Sequence, residues 1–114
     1  MKRVVTFGEI MLRLKSPRHE RLFQSPSLEA TFGGGEANVA VSISNFGNQG
    51  VFVTALPKNE IGSACLGELR RHNVDVSNIV RADARMGVYY LETGANQRPS
   101  LVVAGAAAGF DEAA

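Results

Sequence analysis

Residues 30–47 read ATFGGGEANVAVSISNFG, three consecutive glycines set directly in front of a segment with helical periodicity. Glycine loses more conformational freedom on folding than any other residue, so a run of three marks a place where backbone must turn or be approached closely. A P-loop would need a lysine followed by Ser or Thr after its second glycine, and the stretch has neither. The dinucleotide fingerprint G-x-G-x-x-G also fails, because Asn38 stands where the third glycine belongs. What remains is a strand-to-helix turn whose bare amides sit at a helix N-terminus, suited to hydroxyl or anion contacts. The residues alone leave two readings open: backbone approached by a ligand, or a tightly packed turn.

Working outward from the triplet, Val39, Ala40, Ile43 and Phe46 recur at helical spacing, and Gly47 suits a C-terminal cap. GVFVTAL (50–56) is a continuous apolar run of the kind buried in a parallel sheet. IGSACLGELRRH (61–72) predicts a second amphipathic helix, with Ile61, Cys65 and Leu69 on its apolar face. Upstream, RVVTFGE (3–9) reads as a buried first strand ended by glycine, and MLRLK (11–15) as a strand with one wet face. Pro17 and Pro26 bracket a polar connection, and LEATF (28–32) returns the chain to the glycines. The order strand, loop, helix, strand, helix predicts an α/β sandwich around a parallel sheet.

After Val74 the character changes. GVYYLETG (87–94) and SLVVAG (100–105) read as strands joined by the polar turn ANQRP (95–99). With MLRLK and LEATF they predict a small sheet standing apart from the α/β layer. The tail AGAAAGFDEAA (104–114) has almost no side chains to pack, so the chain is expected to stop inside a domain.

Composition narrows the class. The 114 residues are 45% apolar with a net charge of +1, which supports a buried core and gives no basic stripe for nucleic acid. No apolar run is long enough to span a bilayer, and Glu9 and Arg13 interrupt the N-terminal apolar stretch, so the expectation is a cytoplasmic protein without membrane or nucleic-acid partners. The single cysteine, Cys65, excludes an internal disulfide and reads as a small core residue. His19 and His72 lack partners at metal-ligand spacing, so no metal site is assigned. Asn38 at the start of a helix is a residue that bonds local backbone. Glu9 follows Gly8 at the C-terminal end of the first strand, where open α/β sheets bind ligands, or else caps the surface there. Tyr89 and Tyr90 are adjacent on a strand and therefore face opposite sides.

FGE at the end of the first strand, GGGEANVAVSISNFG and VFVTALPKNEIG together resemble the PfkB (ribokinase-like) family of carbohydrate kinases. Gly34, Gly35, Asn38, Ala40 and Gly47 match its signature of a glycine pair, an asparagine, a small residue and a later glycine. GEIMLRL, GGGEANVAV, VTALPKNEIG and NQRPS look like the 2-keto-3-deoxygluconate kinase branch, with Pro57 and Asn59 where many members have glycine and aspartate.

The resemblance implies a ribokinase-like three-layer α/β/α sandwich with a β-sheet lid. Residues 1–114 would be its N-terminal, substrate-binding part, and the lid strands would lie near 11–31 and 87–104. It implies transfer of the ATP γ-phosphoryl group to a sugar or sugar acid, with Mg²⁺ neutralising phosphate charge and an aspartate as base. Gly34 and Gly35 would meet the sugar through backbone, Asn38 would hold that loop or contact a hydroxyl, and Tyr89 would face the sugar from the lid. Gly8 and Glu9 would line the same cleft. The family's catalytic aspartate lies in a glycine-rich motif that this sequence lacks, so no catalytic, nucleotide-binding or metal residue is assigned and the chain alone is expected to be inactive. Relatives place a Tyr-Asp-Arg-Ala-like stretch, whose Tyr and Arg grip the substrate, where this chain has Ala104, Gly105, Ala106 and Ala107. Lids of the family pair between subunits, implying a homodimer. Fructokinase, another PfkB sugar kinase, or a non-catalytic sugar-binding or oligomerisation module are the competing readings. The ligand-facing reading expects Gly34→Val to remove sugar affinity from a chain that still folds.

Overall fold

The computed structural model describes residues 1–94 and the backbone of 101–104; the turn expected over ANQRP and the tail from Gly105 lie outside the described residues. In chain order the elements are β1 (Arg3–Phe7), β2 (Met11–Lys15), β3 (Glu29–Gly33), α1 (Gly35–Asn45), β4 (Gln49–Val53), β5 (Ala55–Pro57), α2 (Glu60–Arg71), β6 (Val80–Ala82), β7 (Val88–Glu92) and β8 (Leu101–Ala104). Parallel pairing joins β1 to β4, with Val5 opposite Val51, and joins β5 to β6, with Leu56 opposite Arg81. The expected lid is a separate four-stranded sheet of order β3-β2-β7-β8. Its β2–β3 hairpin is inserted in the crossover from β1 to α1, so the lid's base and the first turn of α1 are one continuous piece of chain.

The core forms where α1 and α2 meet the sheet. Ala37 and Ala40 of α1, Phe52 and Leu56 of the strands, and Cys65, Leu66 and Leu69 of α2 share one cluster with Ile10, Val74 and Met86. Small residues set the spacing at α1: a Cβ on Gly50 would lie 2.9 Å from the Ala40 carbonyl carbon and 2.8 Å from Ser44 Oγ. The helix therefore rests almost directly on β4. Phe52 is fully buried beneath it, which contributes roughly 1.5–3 kcal/mol of hydrophobic stabilisation.

The helix ends follow the sequence. Gly47 takes φ +89°, the left-handed position that glycine accepts without steric penalty. The amides of Phe46, Gly47 and Asn48 close onto carbonyls of the last turn of α1. Asn59 caps α2 by accepting from Gly62 N at 2.9 Å. Arg81 ties the same terminus to β6 through Pro57 O (3.0 Å), Asn59 O (3.2 Å) and Ser63 Oγ (3.1 Å).

Four sequence expectations are corrected. Strand β1 is not buried: Val5 is 61% and Phe7 77% exposed, because no described element covers the face that carries them. The run GVFVTAL is broken at Thr54 into β4 and β5, which pair with different neighbours. On α1 the buried positions are Ala37 and Ala40 while Val39 and Phe46 are exposed, since only small side chains fit above Gly50. On α2 the buried stripe is Gly62, Cys65, Leu66 and Leu69, with Ile61 exposed, because the helix starts at Glu60 and turns residue 61 outward.

Candidate functional site

Three segments converge at the lid's base: the exit of β1 (Gly8, Glu9, Ile10), the passage from β3 into α1 (Gly33 to Glu36), and Tyr89 of β7. Gly8 N donates to Val53 O at 3.3 Å, holding the end of β1 against β4. Three residues later the chain enters β2, whose Met11 is paired with Gly33. Thr6 Oγ1 donates to Glu36 O at 2.9 Å, fastening the first turn of α1 to the strand. The expected cleft residues Gly8, Glu9, Gly34, Gly35 and Tyr89 are thus brought to one region.

Each glycine there has a different neighbour. A Cβ on Gly34 would overlap the Glu9 carbonyl oxygen and lie 3.3 Å from Ile10 Cα, so backbone meets backbone. Because rigid main chain blocks that position, Gly34→Val costs stability as well as any ligand contact, and it does not separate packing from binding. A Cβ on Gly8 would overlap the Glu36 carboxylate, with Cδ at 2.7 Å. A Cβ on Gly33 would come 2.6 Å from Tyr89 Oη and 3.6 Å from Arg13 Nη1. Around Gly35 no described residue comes within 4 Å of an added Cβ.

The start of α1 is chemically open. Gly34 is the N-cap in extended backbone and supplies no side-chain cap. The first intrahelical bond there is Asn38 N to Gly34 O at 2.9 Å. The amides of Gly35, Glu36 and Ala37 therefore have no acceptor within the helix. With the helix dipole they favour a hydroxyl or anionic oxygen delivered past Gly35.

Above this terminus stands one face of the lid. Successive strand residues alternate sides, and the register sets Arg13 opposite both Thr31 and Tyr89. Arg13 Nε donates to Thr31 Oγ1 at 2.9 Å. Tyr90 lies on the other side, its ring 6.4 Å from that of Phe23 in the connection between β2 and β3. That connection is clasped to the end of β7, where Leu22 N donates to Glu92 Oε1 at 2.8 Å and His19 Nδ1 lies 2.9 Å from Gly94 O.

Asn38 is one turn further along α1. Its side chain lines a cavity of about 120 Å³ between α1 and α2, shared with Phe32, Val41, Glu68 and His72 among others. Cys65 sits in the floor of that cavity, and burial, with the Glu68 carboxylate beside it, pushes its thiol up to about 12. His72 is held there by Glu68, Nε2 to Oε1 at 3.4 Å.

Sequence reasoning missed Gly33, Glu36 and Arg13. The alternation of MLRLK placed Arg13 on one face of a strand, but only the register reveals that this face also carries Tyr89. The assembled groups are helix amides, the Glu36 carboxylate, a phenol and a guanidinium, which suits recognition of hydroxyls and of an anion. Among the described residues no group of three His, Cys, Asp or Glu is placed to hold a metal ion. No described helix is long and apolar enough to cross a membrane.

Comparison with known proteins agrees with this architecture. A family model described as pfkB family carbohydrate kinase matches residues 1–114. A 2-dehydro-3-deoxygalactonokinase of Haloferax volcanii is 41% identical over 100 residues, covering 88% of this chain and 31% of that protein. The crystal structure of a 2-dehydro-3-deoxygluconokinase from Thermotoga maritima superposes with a TM-score of 0.88 at 51% identity, over 91% of this chain and 32% of that one. A sugar kinase of Pyrococcus horikoshii in complex with ATP superposes with a TM-score of 0.74 at 26% identity, over 88% of this chain and 34% of that one. The chain spans about a third of the length of these relatives.

Proposed function

This chain belongs to the pfkB family of carbohydrate kinases, and from that premise we propose that its residues seat the acceptor of an ATP-dependent sugar-acid kinase, with 2-keto-3-deoxygluconate as the acceptor. The observation that carries the reading is the convergence of the open N-terminus of α1, at Gly34 and Gly35, with Tyr89 on the lid. Phosphoryl transfer depends on positioning and on exclusion of water more than on covalent help from the protein. Helix amides reached past Gly35 bind acceptor oxygens, and the Tyr89 hydroxyl holds the sugar from above. The lid sheet keeps water out of that space, so the phosphoryl group meets the sugar hydroxyl in preference to solvent.

ATP and Mg²⁺ do not fit the described residues. The glycine turn lacks the lysine of a phosphate loop, and no acidic cluster is present among the described residues to hold a metal. We therefore assign ATP and Mg²⁺ to other parts of the complete polypeptide. Among the described strands β3 and β8 are the edges of the lid sheet, and through them two copies would pair as a homodimer.

The test is a thermal-shift titration of the complete polypeptide carrying these residues against 2-keto-3-deoxygluconate, fructose and ribose. The reading expects the largest stabilisation from the sugar acid. Stabilisation by fructose alone would replace it with a fructokinase. No stabilisation by any sugar, with no ATP turnover, would leave a non-catalytic module.

A further inference from the structure

We propose that Arg13 binds the carboxylate of the acceptor and so selects sugar acids over neutral sugars at this site. The inference rests on the sugar-kinase reading above and extends it to one side chain to which the sequence alone gave no ligand-binding role. Strand β2 presents two cations on the Tyr89 side of the lid, and their surroundings differ. Lys15 is opposite Glu29 and paired with it, Nζ to Oε1 at 3.5 Å. Arg13 is opposite Thr31, a neutral residue, which accepts from Nε and leaves the guanidinium charge uncompensated.

A further carboxylate near that strand is already engaged. Glu68 borders the same hollow beside β3, but its Oε1 pairs with Arg71 at 2.6 Å and with His72 at 3.4 Å. Among the described residues no carboxylate lies within ion-pair distance of Arg13. The bond from Nε to Thr31 fixes the plane of the guanidinium while Nη1 and Nη2 stay available, the pair of donors that a carboxylate accepts side by side.

The direction is also right. Nη1 comes within 3.6 Å of where a Gly33 side chain would start, next to the Tyr89 hydroxyl. A glycine at 33 leaves this space vacant for both groups. A sugar acid whose hydroxyls meet the α1 amides would therefore present its carboxylate to a half-buried cation already held in orientation. Closure of the lid strengthens such a pair by removing water from it. Thr31 acts through Arg13 and is a positioning residue.

The experiment compares wild type, Arg13→Gln, Arg13→Lys and Thr31→Val in the complete polypeptide, each titrated calorimetrically with 2-keto-3-deoxygluconate and with fructose. Arg13→Gln is expected to lower the preference for the acid over fructose by about tenfold or more, as loss of a desolvated charge pair does. Arg13→Lys keeps the charge without the fork and is expected to retain an intermediate preference. Thr31→Val is expected to lower the preference by less than Arg13→Gln. If Arg13→Gln does not fold, Arg13→Lys decides, since equal weakening towards both sugars would overturn the assignment. Wild-type binding of the acid with the preference unchanged in Arg13→Gln would overturn the role of Arg13 and leave the kinase reading standing. Failure of the wild type to bind the acid would overturn both.

Discussion

The hydroxyl of Tyr89 occupies the place where a side chain at residue 33 would begin: a Cβ on Gly33 would lie 2.6 Å from it. This joins the lid strand β7 to the last residue of β3, which only the N-cap Gly34 separates from α1. The atom that would be displaced is the far end of a flexible side chain. Gly33→Ala is therefore expected to cost less than about 1 kcal/mol in stability while moving the Tyr89 hydroxyl. In a double-mutant cycle scored by acceptor affinity, the effect of Gly33→Ala should disappear in a Tyr89→Phe background. Simple additivity would show that Gly33 acts by another route.

Gly35 is the clean probe of whether the α1 terminus receives a ligand. None of the described residues lies within reach of a Cβ there. Gly35→Ala should leave the fold intact and stabilise α1 by up to about 1 kcal/mol, since alanine is the better helix former. The same methyl group would stand in the ligand's path, so acceptor affinity should fall while the melting temperature holds or rises. An unchanged affinity would return the glycine run to the packing reading.

Gly50→Ala addresses the core instead. Its Cβ would press on the Ala40 backbone, which is fully buried and cannot yield without lifting α1 from β4. The expected loss is about 1–3 kcal/mol, read as a lower midpoint of urea unfolding with little change in slope.

The Cys65 thiol is pushed up to about 12 by burial and by Glu68. At neutral pH it is almost wholly protonated and poorly nucleophilic. A thiol-reactive disulfide reagent at pH 7 should label it only as the chain unfolds, with a rate that follows denaturant concentration. Rapid labelling of the native protein would contradict its place in the core.

Asp75 links β1 to the segment after α2. Its carboxylate accepts from the hydroxyl and backbone N–H of Ser77 and pairs with Arg3 at 3.2 Å, holding it below its usual value of 3.8. A carboxylate depressed in the folded state contributes stability that is fully present above its unfolded pKa. That contribution is lost as pH falls below 3.8 towards the folded value. Asp75→Asn should be less stable at neutral pH and show a flatter acid limb in melting temperature between pH 5 and 3, with the wild type losing its advantage there.

Much of the architecture was legible without coordinates because it depends on local chemistry. The alternation in MLRLK, the apolar runs of GVYYLE and the Pro-bracketed connection identified the lid strands. The spacing from Ala37 to Gly47 identified α1 and its cap. Burial was less legible. Ala40, Cys65 and Leu69 are buried as their spacing predicts, yet Val39, Phe46 and Ile61, which looked like core residues by hydropathy, are exposed, while Ala37 and Gly62 are buried. Close approach of main chain to main chain selects small residues, and hydropathy carries no record of it.

The glycine run, the helix behind it and the family resemblance were all present in the one-dimensional chain, as were Gly34, Gly35 and Tyr89 as candidates. Which groups they meet was decided only by tertiary structure. Strand register set Arg13 beside Tyr89 and put the Tyr89 hydroxyl over Gly33. The packing of α1 on β1 brought Glu36 to Gly8, while helix geometry took Asn38 to the cavity shared with α2. Register and helix docking are relations between residues distant along the chain, fixed by the shape of the whole core, so no local pattern encodes them.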